Sequence, residues 1–205
     1  MSNIEHIDRA KLFTDVEYRF HYVCKFVGFG AEDIEVIKSA APVVAPLVPS
    51  VVNTVYVKLF SFDITKEVFL KRNEGFHGNL TDANHLSLDS EQITFRKDML
   101  SKYLTKLVTA EYDAAFVKYL DRVGKIHTPK MGNKSINVEY IHCNALMGYV
   151  EDILIQAVLE HKDVDFPTKV KLVRALNKLL WIQMDLFARH YVNDGEDVIS
   201  GQHQQ

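Results

Sequence analysis

The chain has 205 residues, of which 47% are hydrophobic, enough to bury a sizeable core within one domain or a small pair. Its formal net charge of −3 and pI near 6.3 give no electrostatic reason to expect nucleic-acid binding. The N-terminus carries acidic residues and lacks the apolar segment of a secretory signal. Cys24 and Cys143 lie far apart and outside any CxxC pair, as expected for free thiols in a reducing compartment. We therefore expect a cytoplasmic protein.

One uncharged stretch, residues 39–57, is long enough to raise the question of a membrane span. It contains Pro42, Pro46 and Pro49, and prolines at this density interrupt an isolated spanning helix. We interpret the stretch as a buried turn and helix of a soluble protein.

Most of the chain spaces its apolar side chains as amphipathic helices do, and few runs alternate at period two. Thr14 and Glu17 form a capping box at the start of the first helix, and Pro42 is expected to end the second. The longest loop covers residues 73–87. The predicted helices span about 15–27, 31–41, 47–60, 64–72, 90–108, 112–127, 137–161 and 166–192.

Residues 1–195 are expected to form a single domain, and the polar residues 196–205 a flexible tail. Asp165 caps the eighth predicted helix, and Pro167 stands in its first turn. The apolar stripe of that helix consists of Val173, Leu176, Leu180, Met184, Phe187 and Tyr191.

The sixth predicted helix lies in the stretch YDAAFVKYLDRVGKIHTPKM, residues 112–131, and ends on a histidine. Pro129 is expected to terminate it. A neutral imidazole is among the commonest metal ligands, and an apolar wall around it suits a large flat cofactor. The alternative is a core histidine whose nitrogens bond to carbonyls or water. One face of the helix, at steps of four, three and four, consists of Phe116, Leu120, Val123 and His127.

This stretch resembles the F-helix segment of protoglobins and of the globin domains of globin-coupled sensors. The opening phrase RFHYVCKFVGFGAEDIEVI and the closing phrase NKLLWIQMDLFARHYV are similar to the same lineage. The resemblance implies an all-α globin fold with an extra N-terminal helix, and haem b held through His127 as the proximal iron ligand. Because no signalling domain follows, we expect a single-domain member or a protoglobin. The matching positions are Tyr112, Arg122, Val123, Gly124 and His127.

The resemblance also implies the opposite wall of a haem pocket. Tyr56, in NTVYVKLF, falls on the distal tyrosine position, where a phenol hydroxyl can donate to dioxygen that carries partial negative charge. Val55 precedes it where protoglobins carry a tryptophan. The alternative for Tyr56 is a boundary residue with its hydroxyl in water. The remaining implied pocket residues are Phe69, either Met99 or Leu100, Val123, Leu146 and Val150.

Other polar groups compete for these roles. His142, early in the seventh predicted helix, is a less favoured candidate for the iron ligand. Neither Met99 nor Leu100 can donate a strong hydrogen bond, so Tyr56 is expected to be the main polar distal group. A basic cluster near the histidine is expected either to pair with haem propionates or to form a solvated face. Its members are Arg122, Lys125, Lys130 and Lys134.

The implied function is binding of dioxygen, carbon monoxide or nitric oxide for sensing or storage. One alternative is an enzyme on the same haem, such as a nitric oxide dioxygenase or a peroxidase-like protein. A second is a haem-free interaction module with the same fold. The sequence contains no HExxH, GxSxG, P-loop or GxGxxG signature.

The resemblance finally implies a homodimer through the seventh and eighth helices, which sensor-type globins pair in a four-helix bundle. Both helices have more apolar surface than one core-facing stripe needs. The alternative is that the extra helix or the haem covers this surface within one chain. The surplus residues are Leu172, Leu179, Trp181, Ile182 and Leu186 in the eighth helix, and Ile141, Met147, Ile153, Leu154, Val158 and Leu159 in the seventh.

Overall fold

The computed structural model describes residues 4–131 and 136–201, and within these ranges the regular structure is helical. Two 3₁₀ turns, Ala45–Leu47 and Val68–Leu70, join helices or extend them. The helices are α1 (Arg9–Thr14), α2 (Val16–Val27), α3 (Ala31–Val44), α4 (Val48–Phe60), α5 (Asp63–Glu67), α6 (Glu91–Thr109), α7 (Ala114–Lys125), α8 (Tyr140–Glu160), α9 (Phe166–Ala188) and α10 (Glu196–Ile199).

The N-terminal helix α2 begins one residue later than the capping box predicts. Asp15 caps it, with a carboxylate that accepts from the backbone N–H of Glu17 at 3.0 Å and of Tyr18 at 3.1 Å. The Thr14 hydroxyl donates instead to the Ala10 carbonyl at 2.9 Å and so belongs to α1, a short helix that the periodicity did not predict. Gly28 ends α2 in the left-handed conformation, with φ of 67°.

The prediction that Pro42 ends the second helix is wrong, because α3 continues to Val44. Proline deprives the carbonyl four residues earlier of its helical partner, at a cost of about 3 kcal/mol. The continuation buries Val44 on the same face as Ile37 and Ala40, which are 4%, 0% and 6% exposed. Core burial therefore outweighs the local preference of proline.

The apolar stretch that raised the membrane question lies inside this segment. Among the described residues, Ala31–Phe60 is long and apolar enough to span a membrane, by length and composition only. It is divided into α3 and α4 by the 3₁₀ turn at Ala45–Leu47. The inward side of α4 is core, with Val51 and Val52 each 3% exposed and Val55 fully buried. The stretch thus forms a turn and a helix, as predicted, but only the helix is part of the core, because the residues of the turn are partly or fully exposed.

Helix α9 is the centre of the fold and contacts α2, α3, α7 and α8. The expectation of a surplus apolar surface on this helix is wrong for most of the residues involved. Leu172, Leu179, Ile182 and Leu186 are at most 1% exposed, and only Trp181, at 57%, remains at the surface. Neighbouring helices of the same chain cover the surplus, because α9 has packing partners on several sides.

Polar contacts fix α7 against α9. The fully buried Gln183 donates to the Leu120 carbonyl at 3.1 Å. Arg189 Nη1 and His190 Nε2 lie 2.6 Å and 2.8 Å from the same oxygen of Asp121. The neighbouring arginine and histidine, acting against partial burial, hold the pKa of the Asp121 carboxyl below its usual range. Because α7 leads directly into His127, these contacts determine where the imidazole stands.

The first part of the predicted flexible tail forms α10, whose Asp197 accepts two hydrogen bonds from the Arg9 guanidinium at 2.8 Å and 3.0 Å. These contacts attach α10 to α1. The last residues of the tail, 202–205, lie outside the described residues.

We predict that Gly124→Ala destabilises the protein although alanine is the better helix former. A Cβ at Gly124 would stand 2.8 Å from the Leu186 carbonyl oxygen and 3.0 Å from Phe187 Cα, and these backbone atoms cannot rotate away. Overpacking of this kind costs about 1–3 kcal/mol. Urea unfolding measures the loss.

Gly148→Ala is the matched control, because its Cβ would meet nothing within 4 Å. This substitution in α8 is expected to stabilise the protein by about 0.5–1 kcal/mol through helix propensity. The same sign of change in both variants would contradict the close packing of α7 on α9.

Candidate functional site

A cavity of about 330 Å³ lies between α4, α6, α7, α8 and α9. Its volume is within the range of small-molecule sites, about 300–1,000 Å³, and most of its lining is apolar or aromatic. All the residues that the sequence analysis proposed for the site line this cavity, including both Met99 and Leu100, between which the sequence left the choice open. These are Val55, Tyr56, Phe69, Met99, Leu100, Val123, His127, Leu146 and Val150.

His127 stands in the turn that follows α7. Its Nδ1 lies 2.7 Å from the Val123 carbonyl oxygen. A carbonyl only accepts, so Nδ1 carries the proton and Nε2 keeps its lone pair in the neutral ring. Burial lowers the pKa of His127 below its usual 6.5, and the charge of Arg96 adds to this against the opposing effect of the Val123 hydrogen bond. The imidazole is therefore neutral at pH 7, in the tautomer that can coordinate a metal through Nε2.

The end of α7 differs from the prediction. The helix ends at Lys125, so His127 is not its last helical residue. Pro129 has no N–H for the Lys125 carbonyl, four residues earlier, which agrees with its predicted part in ending the helix. The hydroxyl and the backbone N–H of Thr128, which is 2% exposed, donate to that carbonyl instead, at 2.8 Å and 3.0 Å. The turn keeps His127 on the cavity side while satisfying carbonyl groups at the helix terminus.

The segment after His127 is also anchored. Val138 N–H donates to the His127 carbonyl at 2.8 Å, and the Tyr191 hydroxyl donates to the Val138 carbonyl at 2.9 Å. The Phe187 ring lies 5.1 Å from the imidazole, centroid to centroid. The ring and backbone of His127 are thus held from α7, α9 and the approach to α8.

Tyr56 lies in another wall of the same cavity, on α4. It is 5% exposed, and its ring is 5.6 Å from that of Phe69. Burial raises the pKa of Tyr56 well above its usual value, so the phenol stays protonated and can donate. No hydrogen bond within residues 4–131 and 136–201 involves its hydroxyl, so the hydroxyl is free to donate into the cavity.

The sequence analysis missed Arg96, which lines the cavity from α6. It precedes Met99 and Leu100 by three and four residues, so helical spacing alone places it on their face. The expectation that Tyr56 is the main polar group of its wall therefore needs revision, because a guanidinium stands in the cavity as well. Tyr103, Tyr119 and Cys143 are further lining residues that the sequence did not suggest.

His142 also lines the cavity. Its Nε2 is buried and lies 3.3 Å from a Glu139 carboxylate oxygen, without hydrogen-bond geometry. Of the basic cluster, Arg122 lines the cavity and lies 3.8 Å from a Glu74 carboxylate oxygen, whereas Lys125 and Lys130 do not line it. Lys134 lies outside the described residues.

A second cavity of about 280 Å³ adjoins the first and is more polar. Arg96, Met99, Arg122, Ile126 and His127 line both. The combined space has an apolar interior and one end with two arginines. A ligand with a large apolar body and anionic groups at one edge would match this distribution.

The protoglobin family model matches residues 16–197 of the chain. The chain belongs to the protoglobin family. The structure of this protoglobin is similar to the globin domain of a Geobacter sulfurreducens globin-coupled sensor, with a TM-score of 0.65 and 19% identity over 83% of this chain and 96% of that one. No curated protein matches it in sequence. The all-α globin fold expected from the resemblance is confirmed, with α1 and α2 preceding the helices that enclose the cavity.

We predict that His127 makes this protoglobin less stable in mild acid. Because its pKa is lower in the folded chain than the usual 6.5, the unfolded chain binds more protons between the two values, and stability rises with pH across that window. The contribution of His127 to the free energy of unfolding is complete above about pH 6.5. It is lost as the pH falls from there toward the lower pKa of the folded chain.

Urea unfolding of the cofactor-free protein at about pH 7.5 and about pH 5.5 measures this effect. His127→Phe, which keeps an aromatic ring and removes the titration, should narrow the difference between the two free energies of unfolding. An unchanged difference would show that His127 does not bind a proton less readily in the folded state.

Proposed function

We propose that this protoglobin holds haem b in the cavity through His127 and binds dioxygen, carbon monoxide and nitric oxide for sensing or storage. One observation carries the proposal. An imidazole with Nδ1 bonded to the Val123 carbonyl, and Nε2 left free, shares a largely apolar cavity with the hydroxyl of a buried tyrosine, Tyr56. Family membership supports the same cofactor.

The residues present fit haem. Among residues 4–131 and 136–201, no group of three or more His, Cys, Asp or Glu side chains could hold a metal ion. A metal that brings its own equatorial nitrogen ligands suits a site with a single imidazole, and haem does so. Arg122, at the end shared with the polar cavity, is placed to meet a carboxylate side chain of the group. When bound, haem supplies the iron that takes a diatomic gas.

The chain's own residues would act in three ways. The Val123 carbonyl fixes the tautomer and orientation of His127, which raises the basicity of Nε2 as a ligand. Leu100, Leu146 and Val150 exclude water from the cavity. The Tyr56 hydroxyl donates to a ligand that carries partial negative charge. Val55, fully buried beside it, is smaller than the tryptophan it replaces and leaves more room at that wall.

We also propose that the protein is a cytoplasmic homodimer paired through α8 and α9. Both cysteines are free and buried, which suits a reducing compartment. Ile141, Phe166 and Trp181, on α8 and α9, are 67%, 71% and 57% exposed. These three exposed residues are the proposed dimer contacts, in place of Leu172, Leu179 and Leu186, which are buried within the chain.

We predict that Trp181→Glu converts the dimer to a monomer in sedimentation at micromolar concentration, because it places a charge in an apolar contact. Phe26→Glu, on α2 and 78% exposed in the parent, is the control and should leave the dimer intact. A parent that sediments as a monomer would rule out a stable dimer.

We predict that His127→Ala loses most of the haem while His142→Ala retains a near-normal absorption spectrum. Only the His127 ring has a backbone acceptor that fixes its tautomer, whereas the Nε2 of His142 lies beside Glu139. Absorption spectra of the ferric, ferrous and carbonmonoxy forms make the comparison. Normal haem content in His127→Ala would refute the assignment of the ligand.

We predict that Tyr56→Phe keeps its haem but releases dioxygen about tenfold to hundredfold faster, because one hydrogen bond to a charged acceptor contributes about 1.5–3 kcal/mol. Carbon monoxide carries less charge when bound, so its release should change less. Stopped-flow dissociation measures both rates. If the rates of variant and parent agree, the hydroxyl does not bond to the ligand.

A further inference from the structure

Arg96 places a half-buried guanidinium in the wall of the cavity. Its Nη2 donates to the Lys71 carbonyl at 2.7 Å, and its Cζ lies 5.2 Å from the centroid of the Phe69 ring. A backbone acceptor and an aromatic face therefore hold the side chain in position. Because only Nη2 has an acceptor among the described residues, the donors on Nε and Nη1 remain free.

The guanidinium has no counter-ion in the part of the chain that the structure describes. Its Nε is buried and bonds to nothing, Nη1 donates to none of the described residues, and none of their carboxylates lies within ion-pairing distance. Burial lowers the pKa of Arg96, yet an arginine keeps its charge in proteins. A charge that loses water without gaining a partner is destabilising. An anion that enters the cavity would pair with the guanidinium and remove this destabilisation.

Tyr56 supplies a second donor to the same cavity. No hydrogen bond among the described residues involves its hydroxyl. Both side chains pack on the Phe69 ring: its centroid lies 5.6 Å from that of the Tyr56 ring and 5.2 Å from Arg96 Cζ. Lys102, further along α6, has an exposed side chain that pairs with Asp98 at 2.6 Å and lies outside the cavity lining. The cavity thus presents two donors beside the same ring, and a ligand with negative charge at its free end satisfies both.

We propose that Arg96 and Tyr56 form a binding site for a small inorganic anion, such as azide, cyanide or nitrite, and that Arg96 makes the cavity favour such anions over neutral carbon monoxide. The inference rests on the proposed haem function for the other contact of the anion, which is the iron. Arg96 belongs to the protein and not to the haem, so its contribution to anion binding can be measured in the haem-free chain.

The first experiment uses the full chain without haem and two fluorescent probes of similar shape, anionic anilinonaphthalenesulfonate and neutral phenylnaphthylamine. Arg96→Leu should weaken sulfonate binding about tenfold to hundredfold, as expected for loss of a charge-assisted hydrogen bond. Binding of the neutral probe should change less than about threefold. Lys102→Leu removes the same charge from the same helix outside the cavity and should match the parent with both probes.

The second experiment uses the haem-loaded protein. In Arg96→Leu, the affinity of the ferric form for azide should fall at least about tenfold, and that of the ferrous form for carbon monoxide less than about threefold. Arg96→Lys keeps the charge but loses the planar fork, and should lie between parent and leucine variant. Arg96→Gln, judged folded by circular dichroism, replaces the leucine variant if that variant does not fold.

Two results would overturn the proposal. One is equal behaviour of the Arg96→Leu and Lys102→Leu variants toward both probes and both ligands. The other is a loss of haem retention in Arg96→Leu with an unchanged ratio of azide to carbon monoxide affinity, which would assign Arg96 to a carboxylate of the haem. A parent that takes up no haem would refute the proposed function, and the probe titration would still decide the role of Arg96.

Discussion

The hydrogen bond from His127 Nδ1 to the Val123 carbonyl is the interaction on which the site depends. It selects the tautomer, and burial of the ring keeps it neutral. It forms because α7 ends early enough for the imidazole to fold back toward its last turn. Pro129 cannot donate to the Lys125 carbonyl, and Thr128 supplies that carbonyl with two hydrogen bonds instead. The imidazole proposed as the iron ligand is thus oriented by the way in which a helix terminates.

The position of α7 depends in turn on α9. Gly124 lets the two helices approach so closely that a single methyl group would meet backbone atoms. Hydrogen bonds of Gln183 and Asp121 also fix how far α7 is shifted along α9, which apolar packing alone does not determine. The position of the imidazole therefore depends on α9, which is itself held in place by helices on several sides.

The other side of the cavity has a different physical character. Tyr56 and Arg96 place hydrogen-bond donors there, and the buried Nε of Arg96 has no acceptor in the described part of the chain, which costs stability. Stability is commonly sacrificed in this way where a ligand later provides the missing partner. The apolar residues around these donors lower the local dielectric, which strengthens any bond they form with a charged ligand.

The sequence by itself determined the helical class, the residue stripe that ends on His127, and most helix starts, such as the Asp165 cap of α9. These features depend on side-chain periodicity and on contacts only a few residues apart along the chain. Through the resemblance it also supplied the pocket residues, which the structure gathers into one cavity.

Only the tertiary structure decided where Pro42, Leu179 and Arg96 belong. The helix continues through Pro42 because Val44 is buried in the core, Leu179 is covered because α9 has several packing partners, and Arg96 matters because the fold brings it into the same cavity as Tyr56. Each outcome depends on contacts between segments distant in sequence, which periodicity along one helix does not encode.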